Sequence, residues 1–321
     1  MLVTSDIFFS CIEKIGNIPF EQTKEWYDYK QKNGVEFLFF VDNPQDPSIA
    51  CWGRILTKRF IGRILDIIGD VQKLAISQKQ ISKFFTSLIV DAKASMITLN
   101  SVSEYSCEFE IAIRRSGFVR PLGFRTCPLT IFVNPFSYSP DRMWKRNIKK
   151  AKEEQLEFVF VEKPTLPDLR LVCSMFDELR DMKSLGYSLS AEELLNLFQS
   201  DSFKLFFVKK DDKYLCARIV YLYKNQAADV FAANSYESRK YSATNFIMEE
   251  IFTWLKERGV DKFDFSRIPP SNNETDSVYI FKNSSGGYPV QYNGEWIWSK
   301  KRIISLFFSI YNFYVRKAHQ Y

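Results

Sequence analysis

Residues 142–152 read RMWKRNIKKAK, a stretch in which six of the eleven positions are Lys or Arg and none is acidic. Wound as an α-helix, this stretch places Trp144, Ile148 and Ala151 on one face and most of the cations on the others. The spacing predicts an amphipathic helix with a buried apolar stripe and an exposed cationic surface. That surface is either a site for the phosphates of a nucleotide or an RNA, or a solvated face balanced by the acidic pair at 153–154.

The length and composition bound the class of protein. The chain has 321 residues, more than one hydrophobic core usually holds, so two lobes are expected. Its 46% hydrophobic and 26% charged residues are typical of a soluble globular protein. The net charge of +6 is mildly basic, which favours phosphorylated partners without diagnosing nucleic-acid binding.

Histidine occurs once, as His319. Catalytic units of the Ser-His-Asp or Cys-His kind, and metal sites with histidine ligands, would all have to use this residue. These classes are therefore nearly excluded, and we expect no metal. No two cysteines lie closer than 20 residues, so reduced thiols of a cytosolic protein are expected rather than a disulfide framework. The cysteines are Cys11, Cys51, Cys107, Cys127, Cys173 and Cys216.

The two ends of the sequence bear on location. The start, MLVTSDIFFSCIEK, lacks the features of a signal peptide, and no apolar run is long enough to span a bilayer. The run IISLFFSIYNFYV at 303–315 lies between basic residues at 300–302 and 316–317. It is either an interfacial helix at a lipid surface or a terminal helix packed on the first domain. We expect a cytoplasmic protein, with 300–317 as the segment for any peripheral contact at the inner membrane face.

The order of predicted elements repeats along the chain. Residues 78–118 and 242–288 each predict a long amphipathic helix, a short strand, a second helix and a glycine-containing close, all after antiparallel strands. This order indicates a duplicated α/β domain with mixed (α+β) sheets. Breaks in periodicity at 134–140 mark the predicted join. The expected domains are 1–138 and 139–299, with 300–321 packing back on the first.

Four short motifs carry a resemblance to a known family. They are WKRNIKKA at 144–151, FDFSR at 263–267, Phe281-Lys282 and Gly286-Gly287. They resemble the motif that opens the second domain of the FemABX family and the D-F-G-(G/R), F-K and G-G elements that follow it. Members of that family are peptidoglycan-bridge aminoacyltransferases built from two tandem GNAT-like domains, that is, domains with the acyl-CoA N-acyltransferase fold. The chain is most similar to the FemAB-like and BioF2-like acyltransferases of bacterial polysaccharide and envelope synthesis, and the repeated element order extends the resemblance over most of its length.

The resemblance implies an N-acyltransferase that forms an amide on an amino group of a cell-envelope precursor. The acceptor would be a nucleotide- or lipid-linked peptide of the peptidoglycan type, or a polysaccharide amino sugar. The donor would be an aminoacyl-tRNA, which makes tRNA a candidate partner, or an acyl-CoA. Lys282 matches the lysine of the family's F-K element and is expected to bind phosphate or to stabilise developing negative charge. Asp264 is expected to act as a base or an orienting group, or else to be a buried carboxylate paired with Arg267 or with a helix N-terminus.

The remaining candidate residues are expected to bind the substrate or its phosphates. They are Trp144, Arg146, Asn147, Lys149, Lys150, Arg239, Lys240, Arg267 and Phe281. Residues 239–244 (RKYSAT) stand where GNAT proteins have a glycine-containing pyrophosphate loop at a helix N-terminus. Ser242 and Thr244 replace its two glycines, and Ser266 replaces a glycine usual in FemABX proteins. The replacements at Ser242 and Thr244 disfavour coenzyme A binding in this domain, because glycine permits the closest backbone approach.

Two further classes of function are consistent with the sequence. One is a non-catalytic protein that keeps the GNAT scaffold and binds an envelope sugar or a nucleotide precursor. The other is a protein that binds nucleic acid or a membrane surface through 142–152 and 300–317.

Overall fold

The computed structural model describes residues 1–31, 34–121, 129–183, 186–268 and 277–318. The chain divides into two compact units. The first unit comprises Met1–Leu129 and the C-terminal segment from Gln291, and the second comprises Thr130–Val290. The divisions lie at 129/130 and 290/291, whereas the expected boundaries were 138/139 and 299.

The first unit begins with two helices and a set of antiparallel strands. Its elements are β1 (Leu2–Val3), α1 (Ser5–Ile15), α2 (Lys24–Lys30), β2 (Phe37–Val41), β3 (Ile49–Lys58), β4 (Gly62–Ile68), β5 (Val71–Gln72), α3 (Gln78–Ala92), β6 (Met96–Glu104) and α4 (Cys107–Arg115). The long helix α3 starts where the sequence supplies a capping box, because Ser77 and Gln80 each accept a hydrogen bond from the backbone of the other.

The second unit follows a similar plan. Its elements are β7 (Leu129–Val133), α5 (Arg142–Glu153), β8 (Glu157–Val161), α6 (Leu166–Lys183), α7 (Ala191–Leu195), β9 (Phe203–Lys210), β10 (Lys213–Tyr223), β11 (Gln226–Asn234), α8 (Ala243–Glu257), β12 (Lys262–Asp264) and α9 (Ser277–Ser284). The chain continues into β13 (Tyr288–Ser299), whose residues from Gln291 belong to the first unit, and then into α10 (Arg302–Ala318).

The sheet of the first unit has the order β1-β2-β3-β4-β6-β13. β4 and β6 run parallel and are joined by α3, with Ile64 beside Met96. β13 pairs antiparallel with β6, so that Trp296 lies opposite Leu99. This long-range pairing is the reason that residues 291–299 belong to the first unit.

The first sheet has apolar side chains on both faces. Successive side chains of a strand point to opposite sides, so each strand contributes to both faces. One face packs against α3 and α4, in a core that includes Leu65, Ile97, Trp296, Phe85 and Phe109. The other face packs against α10, in a cluster of Ile64, Met96 and Ile297 with the partly buried Leu56, Ile61, Ile304 and Phe308. The C-terminal helix thus packs back on the first unit.

The sheet of the second unit has the order β7-β12-β11-β10-β9-β8. β11 and β12 run parallel and are joined by α8. β7 pairs antiparallel with β12, with Val133 opposite Phe263, which places β7 in the second unit. α5 and α8 cover one face and bury the predicted stripe of Trp144, Ile148 and Ala151.

The repeated order of elements is confirmed. It appears as α3–β6–α4 in the first unit and α8–β12–α9 in the second. The helix α1 and the long strand β13 were not predicted. Cys11, Cys51, Cys107, Cys173 and Cys216 are free thiols, whereas Cys127 and His319 lie outside the described residues. In the described ranges, no helix is both long and apolar enough to cross a bilayer.

Candidate active site

The parallel pair of the second unit ends at the last residue of β12. β11 and β12 pair from Gln226 beside Lys262 to Ala228 beside Asp264, and their ladder ends there, while β11 continues to Asn234. On the other side of β11, Ile219 lies opposite Phe231 and Val220 opposite Asp229, so Val230 is an extra residue in the ladder. Such a bulge bends a strand and increases its twist. The residues just beyond the ladder thus stand at the carboxyl end of the parallel pair, which is where ligands bind in parallel sheets.

Asp264 stands at the end of β12, where the ladder with β11 stops. Its Oδ1 accepts a hydrogen bond from the Thr130 hydroxyl and another, 2.7 Å long, from the backbone N–H of Ser266. Thr130 is itself fully buried on β7. These two hydrogen bonds hold the carboxylate in one orientation.

Ser266 turns the chain directly after β12. Its φ of 58° lies in the left-handed region that favours glycine. The residue nevertheless makes a contact that glycine lacks, because its Oγ donates a 2.5 Å hydrogen bond to the carbonyl of Asp229 on β11. The serine at the position where FemABX proteins usually have glycine therefore keeps the backbone turn and links it to β11.

Lys282 on α9 reaches this turn. Its Nζ donates hydrogen bonds to the carbonyl oxygens of Phe265, Ser266 and Arg267, at 2.6, 2.9 and 3.1 Å. Burial lowers the pKa of the ammonium from its ordinary 10.5 to about 8, while the carboxylates of Asp229 and Asp264 act in the opposite direction. The structure thus brings the predicted pair, Lys282 and Asp264, together around one turn.

A buried ion pair beside this turn was missed by sequence reasoning. Arg218 on β10 donates a 2.8 Å hydrogen bond from Nη1 to Oδ2 of Asp229 on β11, and both side chains are almost fully buried. Burial raises the pKa of Asp229, which the charges of Arg218 and Lys282 partly offset. Asp229 Oδ1 has no hydrogen-bond partner among the described residues. The only signal in the sequence was one charged residue in the interior of each of two largely apolar strands.

The aromatic residues of the motifs have a packing role. Trp144 is fully buried, and its ring centroid lies 5.0 Å from that of Phe281. Phe281 also contacts Phe265 at 6.1 Å. Trp144, which we expected to bind substrate, is therefore a core residue that holds α9, and hence Lys282, against α5.

The two glycines after α9 permit a close backbone approach. A Cβ on Gly286, whose φ is 80°, would lie 2.1 Å from the carbonyl oxygen of Ser139. A Cβ on Gly287 would lie 2.5 Å from the carbonyl oxygen of Phe132. The amide of Asp141, the N-cap of α5, donates to the carbonyl of Ser284 at 3.0 Å. The Gly-Gly motif thus allows the end of α9 to pack directly against the start of α5.

The cations of α5 lie apart from this turn. Arg146, Lys149 and Lys150 are exposed, and Asn147 donates to Asn245 on α8 at 3.2 Å. The charges that act most strongly on Lys282 are those of Asp229, Asp264, Arg218 and Lys183. The structure therefore groups Lys282 with the strand residues, and the α5 cations form a separate exposed surface.

The segment 239–244 leads into α8 beyond the end of β11. Arg239 and Lys240 are exposed, and Thr244 donates to Asn234 at 3.0 Å. Ser242, the N-cap, has a φ of 54° and caps the helix with no side-chain hydrogen bond. Ser242 stands at the first glycine position of the GNAT loop pattern, and it thus keeps a glycine-like backbone conformation with a serine side chain.

Comparisons with known proteins agree with this architecture. Residues 142–277 match the family model described as "Acetyltransferase (GNAT) domain". The crystal structure of FemX superposes with a TM-score of 0.77 at 12% identity, covering 96% of this chain and 99% of that one. L-PGS from Bacillus licheniformis gives a TM-score of 0.64 at 13% identity, covering 96% of each chain.

A third structure is a tandem GNAT protein from the clavulanic acid biosynthesis pathway. It gives a TM-score of 0.52 at 9% identity, covering 92% of this chain and 93% of that one. No curated protein sequence matches the chain significantly. The predicted resemblance and the predicted tandem architecture are thus confirmed at the level of the fold.

Proposed function

We propose that the chain is an N-acyltransferase acting on an amino group of a cell-envelope precursor. The premise is its tandem GNAT fold, which is similar to that of FemX. The observation that carries the proposal is the cluster of Lys282, Asp264 and Asp229 around the turn that follows the parallel pair of β11 and β12. Asp229 and Asp264 lie inside the segment that matches the GNAT family model, and Lys282 lies five residues beyond its end. The motifs shared with FemABX proteins support an envelope amine as the acceptor.

The reaction joins the acceptor amine to the acyl carbon of the donor. A C–N bond forms, and the C–O bond of an aminoacyl ester or the C–S bond of a thioester breaks, while a proton leaves the amine. Lys282 provides positive charge near the oxyanion that develops on the acyl oxygen. Asp264 orients the turn at 265–267. Asp229, with its raised pKa and unpaired Oδ1, is the proton acceptor that we propose.

Two features are consistent with a phosphate-bearing donor. The exposed cations of α5 suit a large polyanion such as tRNA. The segment 239–244 suits a smaller pyrophosphate such as that of acyl-CoA, because the left-handed Ser242 precedes the N-terminus of α8. We propose that the donor is one of these two and that the protein acts in the reducing cytoplasm, where its free thiols persist.

The test is a transfer assay on the full chain. Radiolabelled acetyl-CoA and a mixture of charged tRNAs are offered separately, each with nucleotide-linked muropeptide and with nucleotide-linked amino sugar as acceptors. Amide product from one donor is expected. Lys282→Met should abolish turnover, whereas Lys83→Met, at an exposed lysine of α3, should leave it unchanged. Product formation at the wild-type rate by Lys282→Met would remove Lys282 from the chemistry.

The pH profile of turnover tests the role of Lys282 separately. If the charged ammonium is required, the rate of the wild type should fall as pH rises through about 8, where the group loses its proton. A rate that rises through this range would instead assign Lys282 as a general base.

A non-catalytic binding protein is the second candidate function. The observation that favours it is that all three protons of the Lys282 ammonium are used by backbone carbonyls, so the lysine serves the turn even without a substrate. This candidate predicts calorimetric binding of the envelope precursor by the wild type, with no product from either donor.

A further inference from the structure

The C-terminal helix α10 presents an apolar face to solvent. Ile303, Leu306, Phe307, Ile310 and Tyr311 are between 39% and 65% exposed. At 100° per residue these positions share one side of the helix. Isolated exposed apolar residues are ordinary, but a contiguous set of this kind marks an interaction surface.

The opposite side of α10 is fixed by packing. Ile304 and Phe308 pack on Ile64, Met96 and Ile297 of the first sheet. The serines that follow these two residues also point inward. Ser305 and Ser309 are buried, and the Ser305 hydroxyl lies 2.6 Å from that of Ser299. Rotation of the helix would break these contacts, so the exposed apolar face belongs to the packed state of the helix.

A second exposed apolar group lies on the same unit. The turn between β3 and β4 carries Phe60, which is 90% exposed. Leu56 and Ile61 on either side of this turn belong to the cluster that holds Ile304 and Phe308. The turn and α10 are therefore neighbours on one side of the first sheet.

Cations accompany both apolar groups. Lys58 and Arg59 are exposed beside Phe60, and Lys300 and Lys301 are exposed just before α10. The sequence from residue 296 onward contains no Asp or Glu. Exposed apolar side chains flanked by lysine and arginine match an anionic lipid surface, whereas a second copy of the same face would bring like charges together.

We propose that α10 and the Phe60 turn dock the protein on an anionic phospholipid surface. In this arrangement α10 lies in the plane of the membrane, with Phe307 and Phe60 at the boundary of headgroups and acyl chains and with the lysines on lipid phosphates. The helix does not span the bilayer. The proposal does not depend on the proposed acyl transfer, since every residue in it belongs to the first unit.

The test is co-sedimentation of the full-length protein with vesicles. Neutral phosphatidylcholine vesicles are compared with vesicles containing 30% phosphatidylglycerol. Binding to the anionic vesicles is expected, with loss as salt is raised from 50 to 500 mM. The double variant Lys300→Gln/Lys301→Gln should weaken partitioning about thirtyfold, because each cation near such a surface contributes about fivefold.

The matched pair of apolar variants is Phe307→Glu and Val90→Glu. Both positions are about two-thirds exposed, but Val90 lies on α3, which covers the other face of the same sheet. Phe307→Glu should abolish binding and Val90→Glu should not. The proposal is overturned if the anionic vesicles bind no better than neutral ones or if both variants behave alike. It is also overturned if Phe307→Glu only dissolves a dimer seen without vesicles, since a second copy would then cover the face.

Discussion

Replacing Lys282 by Met should remove a pH dependence from the stability of the protein. The folded protein holds this ammonium in a partly buried site, where burial lowers its pKa to about 8 against 10.5 in an exposed chain. At pH values between about 8 and 10.5, the unfolded state therefore binds more protons than the folded state. The free energy of unfolding contributed by Lys282 rises with pH across this window, and below it the cost of burying the charge is constant.

The magnitude follows from the two pKa values. The difference corresponds to about 3 kcal/mol in total, of which about 2.5 kcal/mol is recovered between pH 7 and pH 10. Met keeps most of the length of the side chain and cannot titrate. The wild type should therefore gain about 2.5 kcal/mol relative to Lys282→Met over this range, whatever the offset between the two proteins at pH 7.

The assay is urea unfolding followed by tryptophan fluorescence at pH 7, 8, 9 and 10. Only the difference between the two proteins is used, so that other titrating groups cancel. Lys83→Met serves as the control, because Lys83 is an exposed lysine on α3. A difference that stays constant within 0.5 kcal/mol would refute the burial of a charged lysine, and a difference of opposite sign would show that the neighbouring carboxylates outweigh burial.

Three other predictions concern the frame of the site. Gly286→Ala should lower the free energy of unfolding in urea by about 3 kcal/mol. Gly259→Ala, with a similar positive φ but open space around it, should lower it by only about 1 kcal/mol. Equal losses would contradict the close approach. Ser242→Gly should stabilise by about 0.5–1 kcal/mol by relieving a left-handed serine, and a destabilised variant would show that the serine is not strained. Arg218→Met should cost about 3–5 kcal/mol by leaving Asp229 buried without its partner, and the double variant with Asp229→Leu should recover most of the loss unless the two groups are uncoupled.

The sequence predicted well those elements whose pattern is local. The stripes of α3 and α8 repeat every three to four residues, and α8 has a recognisable stop at Gly259. The sequence predicts strands at 203–210, 213–223 and 226–233, and β9, β10 and β11 match these ranges within one residue, because turn residues separate them. The strand β13 was missed, because its partner β6 lies far away along the chain and its own residues alternate weakly.

The candidate site was predicted in part. The motif residues Lys282 and Asp264 were identified and do meet at one turn, but the hydrogen bonds of Lys282 go to backbone carbonyls, which no motif records. Trp144 was selected by the same motif and is a core residue. Arg218 and Asp229 were missed because each is the one charge in the interior of a strand.

By itself, the sequence determined the class of fold, the duplication and the presence of a cationic helix, because periodicity and turn residues act over a few positions. Only the tertiary structure decided which strand completes each sheet, which charges meet at the end of β12, and which face of α10 is left uncovered. These features depend on contacts between segments that are distant in the sequence, such as Gly286 against Ser139 and Ile304 against Ile64. Such contacts are selected by burial and shape complementarity across the whole core, and no local pattern encodes them.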